Sequence, residues 1–346
     1  MKSDKYPRYW LALHPDVDRP IGGVKQMHRL CEAISLNNRS ASLIQDDASF
    51  HPGWFNSDVE TISRKDWLNL SDLSSSTDVV ILPETFLNVY ELYAPGIPKI
   101  IFNQNGSYTF GTSGSSLWPN PQTVLRLYHH ADLLHVLCVS CHDEILLHQG
   151  LCIDTDSVSR LVNPIEIDMF HGGECKLKQI AFMPRKNTRD SLIVSSMLAM
   201  QPWWADWKLV PIQQKSQKQV AEILMASSAF LAFGHPEGFG LPLAEALASE
   251  CLLIGYSGLG GRELFDLGAT FGTAREVSFG DWYGFVDAVK AMDKSINSQY
   301  SEIQIALSKC SRLVRKRYSQ AAFQESVNTA LLRWENAWRK RFVSPV

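Results

Sequence analysis

No apolar run in this 346-residue chain reaches the length of a membrane-spanning helix, and its first eight residues, Met1-Lys-Ser-Asp-Lys-Tyr-Pro-Arg8, are too polar for a secretory signal. The sequence therefore reads as cytoplasmic, with peripheral contact at the inner membrane face as the remaining option. A charge excess of either sign is also missing. With 33 Lys and Arg against 36 Asp and Glu, the formal net charge is -3, which excludes the broad basic field that nucleic acid would call for. The seven cysteines supply no disulfide framework, being odd in number, scattered and set mostly in apolar segments, as reduced thiols are. Cys138-Val-Ser-Cys141 is the one close pair, and it has no second pair at zinc-ribbon spacing. His129, His130, His135 and His142 have no acid or cysteine at ligand spacing, and no Asp-X-Asp pair is read at a strand end. The expectation is a site without metal or resident cofactor.

What the chain does have is enough length for two domains and a repeated strand-helix pattern. Short apolar runs at 9–14, 41–45, 78–83, 98–102 and 133–139 alternate with helical or polar stretches, which predicts a parallel doubly wound sheet. A second set, at 178–183, 207–211, 229–233 and 252–255, predicts another. Gly22-Gly23 opens the first helix, in which Val24, Met27, Leu30, Cys31 and Ile34 recur at helical spacing. Ser216 and Gln219 form a capping-box pattern. Leu192, Ile193, Ser196, Met197 and Met200 fall on one face of the helix after Arg189. From Asp281 onward the chain reads as helix, ending in a segment where Trp334 and Trp338 stand among Arg333, Arg339, Lys340 and Arg341. Packed tryptophans are the preferred reading there, and a basic-aromatic surface for anionic lipid is the alternative.

The stretch that carries chemistry is Phe233-Gly-His-Pro-Glu237-Gly-Phe-Gly240-Leu-Pro-Leu-Ala-Glu245-Ala246. An apolar strand runs into a glycine turn and then into a helix with Pro242 in its first turn. Such a turn aims free N–H groups and the positive end of the helix dipole above the strand, a setting for a diphosphate. Arg185, with Lys186 and Arg189 close by, follows the 178–183 strand and offers bidentate and point-charge contacts to phosphate oxygens. Asn103, Gln104 and Asn105 follow the 98–102 strand, where ligands bind in open α/β sheets, and their amides could meet sugar hydroxyls or serve as turn formers. The 107–119 loop, with Tyr108, Phe110 and Trp118, could stack on a sugar ring or be an ordinary surface connection.

Two glutamates separated by seven residues around a Gly-Phe-Gly-Leu core resemble the signature of retaining GT-B glycosyltransferases of the group 1, family 4-like type. The resemblance implies two Rossmann-like domains facing each other across a cleft, with a C-terminal helix returning to the first. The boundaries read as 1–164 plus about 324–346 for the acceptor-side domain and 165–323 for the nucleotide-sugar domain, with Asn163-Pro164-Ile-Glu-Ile-Asp168 at the crossing. It implies transfer of a sugar from a nucleotide-diphosphate donor to a glycan, lipid-linked or small-molecule acceptor, with retention and without metal. Glu237 is implied at the donor sugar and the developing positive charge, and Glu245 at the ribose. Arg185, with either Lys186 or Arg189, is implied at the leaving diphosphate, helped by the N–H groups of Phe239, Gly240 and Leu241. Gly22-Gly23 and Gly260-Gly261 are implied as backbone contacts to the donor. The family's usual glycine before Arg185 is Pro184 here, and its N-terminal histidine is replaced at Asn103 to Asn105. An epimerase or hydrolase of the same fold, or a non-catalytic binder of sugar nucleotides or glycans, would carry much of the same pattern. The base, the sugar, the acceptor and the oligomeric state have no readable code.

Overall fold

A computed structural model describes residues 6–111, 120–173 and 175–343, so Trp118 of the 107–119 loop lies outside the described residues. The chain divides into two compact units, one of Met1–Val162 with Phe323–Val346 and one of Asn163–Ala322.

In the first unit the strands are β1 (Arg8–Ala12), β2 (Ala41–Gln45), β3 (Glu60–Ser63), β4 (Asp78–Pro83), β5 (Lys99–Phe102), β6 (Leu133–Cys138) and β7 (Val158–Arg160). They form one parallel sheet in the order β3-β2-β1-β4-β5-β6-β7. β2, β4 and β5 are buried along their whole length, which is why they read as continuous apolar runs. The edge strand β3, Glu-Thr-Ile-Ser, is half-exposed and polar, and for that reason hydropathy gave no sign of it.

The second unit has β8 (Leu177–Phe182), β9 (Lys208–Pro211), β10 (Ser227–Ala232), β11 (Leu252–Gly255) and β12 (Ala274–Glu276), also parallel, in the order β12-β11-β10-β8-β9. Each sheet thus reverses its direction of winding once, between β1 and β4 in the first and between β8 and β10 in the second. The connections leave adjacent strands on opposite faces at such a point, so a crevice opens at the strands' carboxyl ends.

The helix Thr188–Ala199 turns inward a face other than the one that carries Leu192 and Met200. Asp190, Ser191, Val194 and Leu198 are buried, while Leu192 and Met200 are 63% and 82% exposed. The Tyr256 hydroxyl donates to Asp190 Oδ2 at 2.8 Å, so a polar contact helps set the rotation. Ser216 does cap the helix Gln217–Ala226, and Gln219 returns the bond. Ser216→Ala is expected to lower the stability of the second unit by about 1 kcal/mol, read as a shift in its denaturant midpoint.

The last helix, Gln320–Phe342, joins the first unit through buried Trp334 and Trp338. Trp334 Nε1 donates to Tyr9 Oη at 2.9 Å and Trp338 Nε1 to Ser75 O at 3.0 Å. Tyr9 donates in turn to Glu335, which also receives a two-point grip from Arg39 at 2.9 Å each. Both tryptophans are therefore committed to packing, which removes the aromatic part of the basic-aromatic lipid surface considered above. No helix among the described residues is long and apolar enough to cross a membrane.

Candidate functional site

The β8/β10 switch point is where the 233–246 turn and the Arg185 segment meet. β10 ends at Ala232, the chain passes through Phe233 to Gly240, and the helix Leu241–Ala248 begins with Pro242 in its first turn. Gly240 has φ 85°, a left-handed value that glycine adopts without strain, and it lets the chain enter the helix. Among the described residues no chain acceptor takes the N–H of Phe239, Gly240 or Leu241. The Phe239 ring is buried against Tyr318, 5.0 Å between centroids, which anchors the turn.

A second glycine turn supports the first from behind. The Glu237 N–H donates to Gly258 O at 2.7 Å, and the Gly260 N–H returns a bond to Glu237 O at 3.0 Å. A Cβ on Gly260 would sit 1.9 Å from Gly238 O, so the two backbones touch only because no side chain intervenes. The Gly261 N–H donates to Ser257 O at 3.0 Å. The resemblance implies Gly260 and Gly261 as backbone contacts to the donor. Their N–H groups are bonded within the chain, where they support the first turn.

From β8, Lys186 reaches across. Its Nζ donates to Glu237 Oε2 at 2.6 Å and to Pro236 O at 3.1 Å, with both side chains about a fifth to a third exposed. Beside it, Asn187 Nδ2 donates to Phe233 O at 2.6 Å and to His235 O at 3.2 Å. Arg185 is exposed and makes no side-chain hydrogen bond among the described residues. Arg189, also exposed, holds its guanidinium carbon 5.6 Å from the Trp282 ring centroid. Of the two cations left open by the sequence, it is Lys186 that meets Glu237. Glu245 lies one turn into the helix and is half-buried.

Asn187, the Tyr256–Asp190 pair and the stacking of His235 on Phe279, at 4.2 Å between centroids, were not foreseen. An asparagine just before a helix carries the signature of an N-cap, so the residue type pointed to a different role. Burial lowers the His235 pKa, which favours the neutral ring in that stack.

In the first unit, Gly22 is exposed at the start of the helix Gly22–Leu36, and a Cβ on Gly23 would lie 3.0 Å from Gln104 Oε1. Gln104 is the half-exposed member of its trio. Asn103 is fully buried, donating at 3.0 Å to both Thr109 Oγ1 and Tyr128 Oη, and Asn105 is 7% exposed with its Oδ1 accepting the Ser107 N–H. The Asn103 Nδ2 and the Asn105 Oδ1 are thus engaged within the chain, and Gln104 is the member of the trio whose side chain is partly exposed beside Gly23. The Gln104 N–H donates to Glu84 Oε2 at 2.9 Å, and burial, with the nearby Asp143 adding to it, pushes the Glu84 carboxyl up to about 8. The Asp16-Val17-Asp18 triplet, which follows β1 by a few residues, is an Asp-X-Asp pair missed above. Its carboxylates accept loop N–H groups of Asp46, Asp47 and Gly53, each at 2.9 Å.

No family model matches the sequence. The chain is 26% identical over 270 residues to a curated alpha-1,6-glucosyltransferase of Actinobacillus pleuropneumoniae serotype 7 (strain AP76), covering 73% of this chain and 74% of that protein. Among solved structures it superposes on sucrose-phosphate synthase from Thermosynechococcus elongatus with a TM-score of 0.70, at 12% identity, over 96% of this chain and 100% of that one. A glycosyltransferase from Rickettsia africae ESF-5 gives 0.67 at 12% identity over 96% and 98%. Anabaena HepE in complex with UDP-glucose gives 0.63 at 10% identity over 94% and 99%. These likenesses, with the two parallel sheets and the C-terminal helix, place the chain in the GT-B fold.

Proposed function

We propose, taking the GT-B fold as premise, that this chain is a glycosyltransferase that moves a sugar from a nucleoside-diphosphate donor to an acceptor hydroxyl with retention of configuration. The carrying observation is that, at the β8/β10 switch point, the Lys186 ammonium bonds Glu237 on the same glycine turn whose Phe239, Gly240 and Leu241 N–H groups take no chain acceptor among the described residues. A cation and free N–H groups on one turn suit an anion, with the Glu237 carboxylate beside them.

Breaking a glycosidic bond to a diphosphate leaves positive charge on the ring and negative charge on the departing phosphate. Lys186 and Arg185, with the turn's N–H groups and the helix dipole, stabilise the phosphate, so the protein's own cations carry the charge that a metal would otherwise supply. When the diphosphate takes Lys186, Glu237 becomes available to the donor's hydroxyls and the developing positive charge. Glu245 is assigned to the ribose, and Gln104 beside Gly23 to the sugar or acceptor side. The curated relative's name and the HepE complex make UDP-glucose the first donor to test.

Incubation with UDP-glucose, other nucleotide sugars and candidate glycan, lipid-linked or small acceptors, followed by mass analysis and NMR of the product anomer, tests the reading. An added hexose, an α-anomer from an α-donor, and turnover unchanged by chelator are expected. Isomerised donor, free sugar alone, or binding without diphosphate release would replace the reading with an epimerase, a hydrolase or a binding protein.

A further inference from the structure

We propose that Asn187 is a positioning residue for the Glu237 turn, its amide holding the carbonyls on either side of Gly234 and so fixing where Glu237 and the free N–H groups stand. The kinetic part of this inference rests on the donor-diphosphate reading above. The structural part does not.

Asn187 is the N-cap residue of the 12-residue helix Thr188–Ala199, a place where an asparagine ordinarily turns its oxygen back to the first-turn N–H groups. Here the side chain makes no cap bond. It points to the turn that follows β10, and both hydrogens of its amide are used, one on Phe233 O at 2.6 Å and one on His235 O at 3.2 Å. Both partners are pure acceptors, so the amide nitrogen rather than its oxygen must face them. Forgoing a cap of roughly 1 kcal/mol is consistent with a more useful engagement elsewhere.

Lys186 holds a third carbonyl, that of Pro236, so the carboxyl end of β8 grips three of the four carbonyls from Phe233 to Pro236. The two grips differ in kind. The Lys186 ammonium is a mobile point charge already shared with Glu237, and an arriving diphosphate would compete for it. The Asn187 amide is neutral and directional, and both its hydrogens are already placed on carbonyls of the turn. It therefore keeps the turn in register while Lys186 changes partner. On the far side the turn rests on Gly258 and Gly260, so loss of the amide frees one wall only.

The test compares Asn187→Ala, Asn187→Ser and Asn187→Asp in the full chain by two measurements. Hydrogen exchange of peptides covering residues 233–245 is expected to speed up about 10-fold in the alanine variant, with peptides of the first unit unchanged. For wild type with an accepted donor, kcat is expected to exceed that of Asn187→Ala by roughly 10- to 100-fold, with donor KM within about 3-fold, because misplacement of a reacting group weighs on the transition state. The aspartate variant is the discriminating one. It has the shape of asparagine but presents only acceptors to two carbonyls, so it should fall at least as far as alanine, and serine, with one donor, should lie between. An aspartate variant equal to wild type, or exchange in the turn unchanged by alanine, would overturn the proposal. If wild type releases nucleoside diphosphate from no donor, the glycosyltransferase reading fails, and the order of exchange rates among the three variants alone decides the role of Asn187.

Discussion

Lys186→Ala is expected to slow glycosyl transfer by about 100- to 1,000-fold, the loss seen when one donor to a developing anion is removed. The effect should fall mainly on kcat, because the charge on the leaving phosphate grows as the bond breaks. Arg189→Ala, which removes a guanidinium lying over Trp282, should cost less than about 10-fold on the same scale. The comparison is useful because the sequence made the two cations equivalent candidates. Steady-state kinetics with saturating acceptor would show it, and a larger loss for Arg189 than for Lys186 would reassign the diphosphate contact. Removing Lys186 also leaves Glu237 without its ion pair and Pro236 without a donor. Lys186→Arg therefore belongs beside it, since a retained charge with altered geometry separates electrostatics from turn support.

The largest stability effect should come from Arg39, far from that turn. Arg39→Met removes both bonds to the buried Glu335 carboxylate, leaving the Tyr9 hydroxyl at 3.1 Å as its remaining close donor, with Arg339 at 3.8 Å. Breaking a buried pair by taking one partner costs about 3 kcal/mol or more. In calorimetry, the transition of the first unit should then drop by roughly 6–12 °C. Glu335→Leu added to Arg39→Met should recover part of the loss, because an apolar side chain leaves no uncompensated charge. An unchanged transition in the single variant would show that Trp334 and Trp338, rather than the polar network, hold the last helix.

How much of this was legible depended on the reach of the signal. β2, β4 and β11 were read with their observed bounds, because strands buried on both faces are apolar throughout. The Gly238-Phe239-Gly240 turn and Pro242 announced the entry to the helix Leu241–Ala248, since both act through local backbone conformation. β3 gave no such signal, and the inward face of Thr188–Ala199 was not legible because Asp190 on it pairs with a tyrosine 66 residues away. Whether Asn103 and Asn105 are ligands or turn formers was open in the sequence, since their contacts to Thr109, Tyr128 and Ser107 depend on how the strand-end loop folds back.

The sequence by itself determined that a glycine turn with two glutamates joins a strand to a helix, because glycine, proline and an apolar strand impose that geometry within a dozen residues. Only the tertiary structure decided which side chains serve it. Lys186 rather than Arg189 reaches Glu237, Asn187 grips the turn, and the N–H groups of Gly260 and Gly261 are spent in support. The physical reason is strand order. β8 lies beside β10 although β9 comes between them in sequence, and that adjacency, set by the packing of whole helices and strands, brings residues about 50 positions apart within hydrogen-bond reach.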